Sequence, residues 1–227
     1  MRHLVAHPCS LAALVVGFLA AAPRPLLAQN LVTNPHFDTD LSGWNPVGIG
    51  TAFDGTKDAN NSLSSGSVHA IQPIAIPNGA NLNGVRQCVT GLTAGATYDF
   101  GGQILVNSAP AGGSASTELA FYSDNACTTP VGVTTAGASV FAGATFQPSN
   151  GSAVAPPGAV AAQIFQNERT AATPGTIDIN EDEMFLQLSA SQVPTVPRWT
   201  LGVLAGAVAA GGVLALRRRQ RSGSLAG

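Results

Sequence analysis

Four acidic side chains crowd the segment TIDINEDEMFLQL: Asp178, Glu181, Asp182 and Glu183. Neighbouring carboxylates do two kinds of chemistry. Acid and base work on a glycosidic bond needs two carboxyls flanking the substrate, usually from separate elements. Binding a hard cation such as calcium takes about six to eight oxygen ligands, from carboxylates and backbone carbonyls. The segment reads as one strand, with neighbouring side chains on opposite faces, and that disfavours a catalytic pair. Asp54 and Asp58, in the loop FDGTKDANN, form a second acidic place. A solvated edge that discourages strand-to-strand association is the structural alternative.

Other chemistry is sparse. His36 and His69 are the only histidines beyond the N-terminal segment, and neither lies in a nucleophile, phosphate or metal motif. The chain carries no G-x-S-x-G and no H-E-x-x-H. The expectation is a protein that is not an enzyme. Sugar binding needs aromatic faces with polar groups beside them. Tyr98 and Tyr122 are the candidate ligand-binding residues, with core packing as the alternative for each.

The elements that must position these residues are strands. SVHAIQPIAI, TYDFGGQILV, STELAFYS, AVAAQIFQ and TIDINEDEMFLQL are short runs with β-branched and aromatic residues. In STELAFYS, Leu119 and Phe121 fall on one face, with Glu118, Ala120 and Tyr122 on the other. Phe185 lies between Met184 and Leu186, so the last strand is expected to be buried on both sides near its middle. The clusters NGANLNG, TAGA, APAGGSAS, QPSNGS, APPGA and AATPGT read as turns. No helical period separates the runs. The fold class is all-β, an antiparallel β-sandwich of jelly-roll type, over residues 29–190.

Charge separates this body from the two ends. Between residues 29 and 197 only Lys57, Arg86 and Arg169 are basic, against all 12 acidic residues of the chain. An acidic body has no electrostatic footprint for nucleic acid. At the N-terminus, Arg2 precedes the apolar run LAALVVGFLAAA and a small-residue exit. Residues 1–28 therefore read as a signal peptide for the Sec export machinery, cut after Ala28, with an uncleaved anchor as the alternative. At the other end, residues 191–198 form a linker before an uncharged run over 199–216. At about 1.5 Å per residue that run is just long enough to span a bilayer core as one transmembrane helix. Arg217, Arg218, Arg219 and Arg221 follow in the tail 217–227, and the positive-inside rule keeps them cytoplasmic. The body then faces away from the cytoplasm, and membrane lipid is a partner of the helix. Cys88 and Cys127, the only cysteines beyond the N-terminal segment, would meet an oxidising compartment and pair. The bridge would close a loop of about 38 residues, worth roughly 3–4 kcal/mol. Free thiols and a metal pair are the alternatives.

The tail VPTVPRW, its apolar helix and its arginine cluster resemble the IPTL-CTERM family of bacterial protein-sorting signals. Val193, Pro194, Thr195 and Trp199 carry the motif. Pro197 and Arg198 depart from it. The resemblance implies a sorting protease of the inner membrane, cutting near the motif, and transfer to the cell surface. A plain single-pass anchor is the alternative.

The start of the body, NLVTNPHFDTDLSGWNPVG, resembles the opening of jelly-roll carbohydrate-binding-like modules. Asn30, Leu31, Asn34, Pro35, Phe37, Asp38, Gly43 and Trp44 match there, and Asp182 and Glu183 match the acidic pair of the last strand. The resemblance implies a core role for Trp44. It also implies a structural calcium between the first turn and the last strand, at Asp38, Asp40 and Asp182. Polysaccharide is the partner implied. Together the readings describe an exported, surface-sorted β-sandwich that binds carbohydrate. A structural surface or matrix component with no small ligand is the alternative.

Overall fold

The computed structural model describes residues 28–48, 50–72, 80–169 and 175–190, without the side chains of 80–82. These residues belong to one compact unit, Ala28–Val193. The expected signal peptide, the sorting motif, the membrane helix and the tail arginines lie outside the described residues. Among the described residues, no helix is long and apolar enough to cross a membrane.

The described chain is all-β. Its strands are β1 (Asn45–Val47), β2 (Ala52–Asp54), β3 (Ser67–Gln72), β4 (Ala80–Thr90), β5 (Thr97–Ser108), β6 (Ser114–Tyr122), β7 (Pro130–Ala136), β8 (Val140–Phe141), β9 (Gln147–Val154), β10 (Ala161–Arg169) and β11 (Ile177–Leu188). They form two sheets. Sheet A runs β1-β4-β10-β6-β7, with β8 also on β6; sheet B runs β2-β3-β11-β5-β9. Every strand pairing is antiparallel. This is the sandwich expected from the alternation of short runs.

Three turn assignments are corrected. Part of NGANLNG lies in β4, the end of APAGGSAS lies in β6, and QPSNGS lies in β9. Turn-type composition yields to pairing here. β9 pairs with β5 from Thr97↔Val154 to Ile104↔Gln147. Its small residues suit the packing: a Cβ on Gly151 would stand 2.5 Å from the Phe100 ring. Ser149 is fully buried; its Oγ accepts from the Thr117 N–H at 2.9 Å and donates to the Ala138 carbonyl at 2.7 Å.

The alternation in β6 falls as expected. Leu119 and Phe121 enter the core with Ile164, Phe100, Met184 and Leu186, and Trp44 packs there with Phe37. A second apolar cluster holds Ala70, Ile104, Val106, Ala115, Val140, Ile177 and Ile179. What lies between them is polar. The inward face of β6 reads Phe121, Leu119, Thr117, Ala115, and that of β10 reads Ala162, Ile164, Gln166, Glu168. β5 passes from Phe100 through Gly102 to Ile104, and β11 from Met184 through Glu181 to Ile179. A bulge makes this possible in β11. Two residues there, Glu183 and Met184, answer one on β5, Gly102, between Asp182 and Phe185, and Glu183 takes φ of 53°. The extra residue lets Glu181 and Met184 face inward from either side of it.

Candidate functional site: the outer face of sheet A

The register sets rows of side chains across the outer face of sheet A. One row reads Asn45, Arg86, Phe165, Glu118, Ala136. Towards one end follow Cys88, Gln163, Ala120, then Thr90, Ala161, Tyr122, Pro130. Towards the other, Asn167 faces Ser116, and Arg169, Ser114 and Phe141 align. Phe165, Ala120 and Ala161 are buried yet join neither core cluster, as residues of an outward face should.

The floor of this face is polar and aromatic. Phe165, Asn167 and Glu118 are buried, and Tyr122 and Gln163 are half-buried. Phe141 is 59% exposed. Arg169 donates from its guanidinium to Glu118 Oε1. Asn167 Oδ1 is buried with no hydrogen-bond partner. From Ser114 to Tyr122 the face runs about 27 Å along β6, at roughly 3.4 Å per residue.

A disulfide ties down one side. Cys88 and Cys127 are bonded, with Cα atoms 6.0 Å apart, as expected from the cysteine count. Cys127 lies in the β6–β7 loop and Cys88 on β4, with β10 between their strands. The bridge therefore draws that loop across the Tyr122 end of the face. Asp124 stiffens the loop by accepting from the N–H groups of Ala126, Thr128 and Thr129. Burial acts against it, but those bonds hold its carboxyl below the usual range.

The sequence-based candidates divide. Tyr122 stands on the outer face, its hydroxyl 3.5 Å from Gln163 Oε1. Tyr98 does not: it is 4% exposed, packs against Phe121, and its hydroxyl accepts from the Thr93 N–H at 2.8 Å. Its place opposite Leu188 turns it into the core, so its assignment as a ligand-binding residue is corrected.

The expected calcium ligands Asp38, Asp40 and Asp182 are not brought together. Among the described residues, no three His, Cys, Asp or Glu side chains are grouped to hold a metal. Asp38 and Asp40 are exposed, and Asp40 instead accepts from the Ser42 N–H at 2.8 Å. Asp182 is buried on the outer side of sheet B, under the loop after β2. Its two oxygens accept from the Ala59 and Glu183 N–H groups at 2.9 and 2.7 Å. Burial pushes its carboxyl up to about 7; those two bonds oppose the rise, and the charges of Glu183 and Asp58 add to it.

The loop FDGTKDANN does meet the acidic strand, but it brings its own donors. Asp58 accepts from Asn60 N–H, Ser62 N–H and the Ser65 hydroxyl. Lys57 Nζ donates to Asn107 Oδ1 at 2.7 Å and Asn180 Oδ1 at 3.1 Å. Asn180 donates to Asp54 Oδ2 and Ser67 Oγ, His69 contacts Asp178 at 3.0 Å, and His36 contacts Glu183 at 2.9 Å. Burial acts against Asp54 and Asp58, yet these donors hold both carboxyls below the usual range.

Sequence reasoning missed Phe141, Phe165, Gln163, Asn167, Arg86 and Arg169 as parts of one face. The signal for Phe165 was its offset by one from Ile164 in a strand buried on both faces. For Phe141, in a strand of two residues, no periodicity exists to read.

The sequence matches no family model and no curated protein. Solved structures share the fold. The enzymatically active domain of tailspike protein 4 from bacteriophage CBA120 superposes with TM-score 0.52 at 16% identity, over 70% of this chain and 21% of that one. The CBM22-1–GH10 modules of Clostridium thermocellum xylanase 10B, complexed with xylohexaose, give 0.50 at 15%, over 71% and 29%. The CBM22-1 xylan-binding domain of Paenibacillus barcinonensis Xyn10C gives 0.49 at 13%, over 71% and 95%. The chain thus spans under a third of the first two, and carbohydrate-binding modules are among its structural neighbours.

Proposed function

We propose that this protein binds an extended polysaccharide along the outer face of sheet A, without cleaving it. One observation carries the reading. Aromatic rings and hydrogen-bonding side chains share one face about 27 Å long, with Phe141 exposed and Tyr122 half-buried. Phe141 and Tyr122 stand near its ends, and Arg86, Gln163, Asn167 and the Arg169–Glu118 pair lie between. Stacking on a ring with polar groups to fix orientation is the arrangement sugars require. The xylohexaose named for one structural neighbour suggests its polymer as the first probe. The tail motif supports export and sorting to the cell surface, and a closed disulfide suits an oxidising compartment.

The test is an array of soluble polysaccharides, xylan included, probed with the full chain. Retention on at least one polysaccharide is expected. Phe141→Ala and Tyr122→Ala should each weaken it by about tenfold, about 1.4 kcal/mol, and Tyr98→Phe should leave it unchanged. No retention on any polysaccharide, or loss through Tyr98→Phe alone, would remove this reading and favour a structural surface component. Export is tested by sequencing the N-terminus of the secreted chain, which should begin at Gln29.

A further inference from the structure

We propose that the polar belt between the two sheets is a cation site, holding one hard divalent ion of the calcium class, with Glu168 and Glu181 as its charged ligands. Six side-chain oxygens of the belt are buried without a hydrogen-bond partner: both of Glu168, both of Glu181, Gln166 Oε1 and Thr117 Oγ1. None of these four residues is more than 1% exposed. They come from three different strands, β6, β10 and β11, and from both sheets, yet all face the same interior layer. Six oxygens with neither sulfur nor imidazole among them match the donor set of a hard cation.

Among the described residues, no basic side chain pairs with either glutamate. The ion pairs among the described residues involve Glu183, Asp178 and Glu118, not Glu168 or Glu181. Lys57 serves the outer side of sheet B, Arg169 serves Glu118, and Arg86 is exposed. Two buried carboxylates without a cation are costly, and a group so placed keeps its proton instead. Burial pushes Glu168 up to about 8, opposed by the nearby Asn83 amide and reinforced by Asp178. No hydrogen bond of ordinary geometry closes between Asn83 and Glu168, so the amide is near but uncommitted. Burial also raises Glu181, and the charges of Glu168 and Asp182 raise it further, which places the two glutamates within reach of each other's field. Gly102 keeps the layer uncrowded: a Cβ there would stand 2.5 Å from Met184 Sδ and 3.6 Å from Thr117 Oγ1.

This site is separate from the sugar-binding face, and either can fail without the other. It is also separate from the calcium expected at Asp38, Asp40 and Asp182. The test strips the full chain of metal with a chelator at about pH 5, where carboxyls release their ion, and returns it with calcium to about pH 7.5. Elemental analysis after gel filtration should find about one calcium per chain. The thermal midpoint should rise by about 10 °C relative to chelator. Glu168→Gln and Glu181→Gln should each abolish both effects, while Asp38→Asn and Asp182→Asn should keep them. Calcium lost through Asp182→Asn and kept through Glu181→Gln would overturn the proposal. If the glutamine variants do not fold, the unaltered chain still decides. No retained calcium and an unchanged midpoint would mean that protons and buried water fill the belt, and the proposal would fall.

Discussion

Two groups of carboxylates lie on opposite sides of sheet B, and they differ in company rather than in chemistry. On the outer side, Asp54 and Asp58 are ringed by N–H, hydroxyl and amide donors, with Lys57 as the nearby cation. On the inner side, neither Glu168 nor Glu181 closes a hydrogen bond through its carboxylate among the described residues, and the Asn83 amide is the donor near Glu168. The first pair titrates below the ordinary range and the second above it. The difference teaches that burial and donors decide together: Asp54 and Asp58 are half-buried and ringed by donors, Glu168 and Glu181 are fully buried, and Asp182, buried with two N–H donors, is still pushed up to about 7.

The largest effect should come from the interior. With calcium at about a thousandfold its Kd, the inner site stabilises the fold by about 4 kcal/mol, and chelation removes this. In the metal-free chain Glu181→Met should then raise stability, by roughly 1–4 kcal/mol, because an unpaired ionisable group leaves the core. Urea denaturation measures both. A destabilised metal-free Met variant would mean that Glu181 already has partners, and the contrast would collapse.

The pH profile sharpens the same contrast through its sign. Burial raises Glu168 to about 8, well above the ordinary carboxylate range. Below the unfolded value both states are protonated and nothing is lost. As pH rises towards about 8 the unfolded chain ionises first, so the metal-free protein should lose stability across that window. The outer pair runs the other way. Asp54 and Asp58 lie below the usual carboxylate range, so their stabilisation is present above that range and fades as pH falls through it. Stability of the chelated chain measured from about pH 3 to about pH 8 should therefore peak between the two windows. A monotonic rise to pH 8 would contradict the interior assignment.

Smaller effects probe the outer side. Asp58→Ala removes the acceptor of three hydrogen bonds and should cost about 2 kcal/mol, with faster hydrogen exchange at the Asn60 and Ser62 amides. Lys57→Met should cost about 1 kcal/mol, because Asn107 and Asn180 keep other partners. An equal loss from Lys57→Met and from chelation would mean that the two sides of the sheet are one network.

Much of the fold was legible in local pattern. Alternation placed Leu119 and Phe121 inward and Glu118, Ala120 and Tyr122 outward, and the structure keeps them there. The acidic segment read as one strand with neighbours on opposite faces, and it is β11, with Glu181 inward and Asp178, Asn180 and Asp182 outward. The two cysteines were left with only each other. The binding candidates were less legible. Tyr98 and Tyr122 look alike in sequence, each an aromatic residue in an alternating run. Only the packing of Tyr98 on Phe121, and its bond to Thr93, separates a core ring from a surface one.

By itself, then, the sequence determined the all-β class, the inward and outward sets of β6 and β11, the disulfide and the acidic character of the body. Those follow from the two-residue period of a strand and from counting, which are local. Tertiary structure alone decided that QPSNGS is a strand, that Asp182 is sealed under a loop rather than set beside Asp38, and that Phe141 and Phe165 share a face. It also set Glu168 of one sheet opposite Glu181 of the other. Such meetings depend on which strands become neighbours and on where a bulge shifts the register. No window along the chain contains both partners of a contact made across a sandwich.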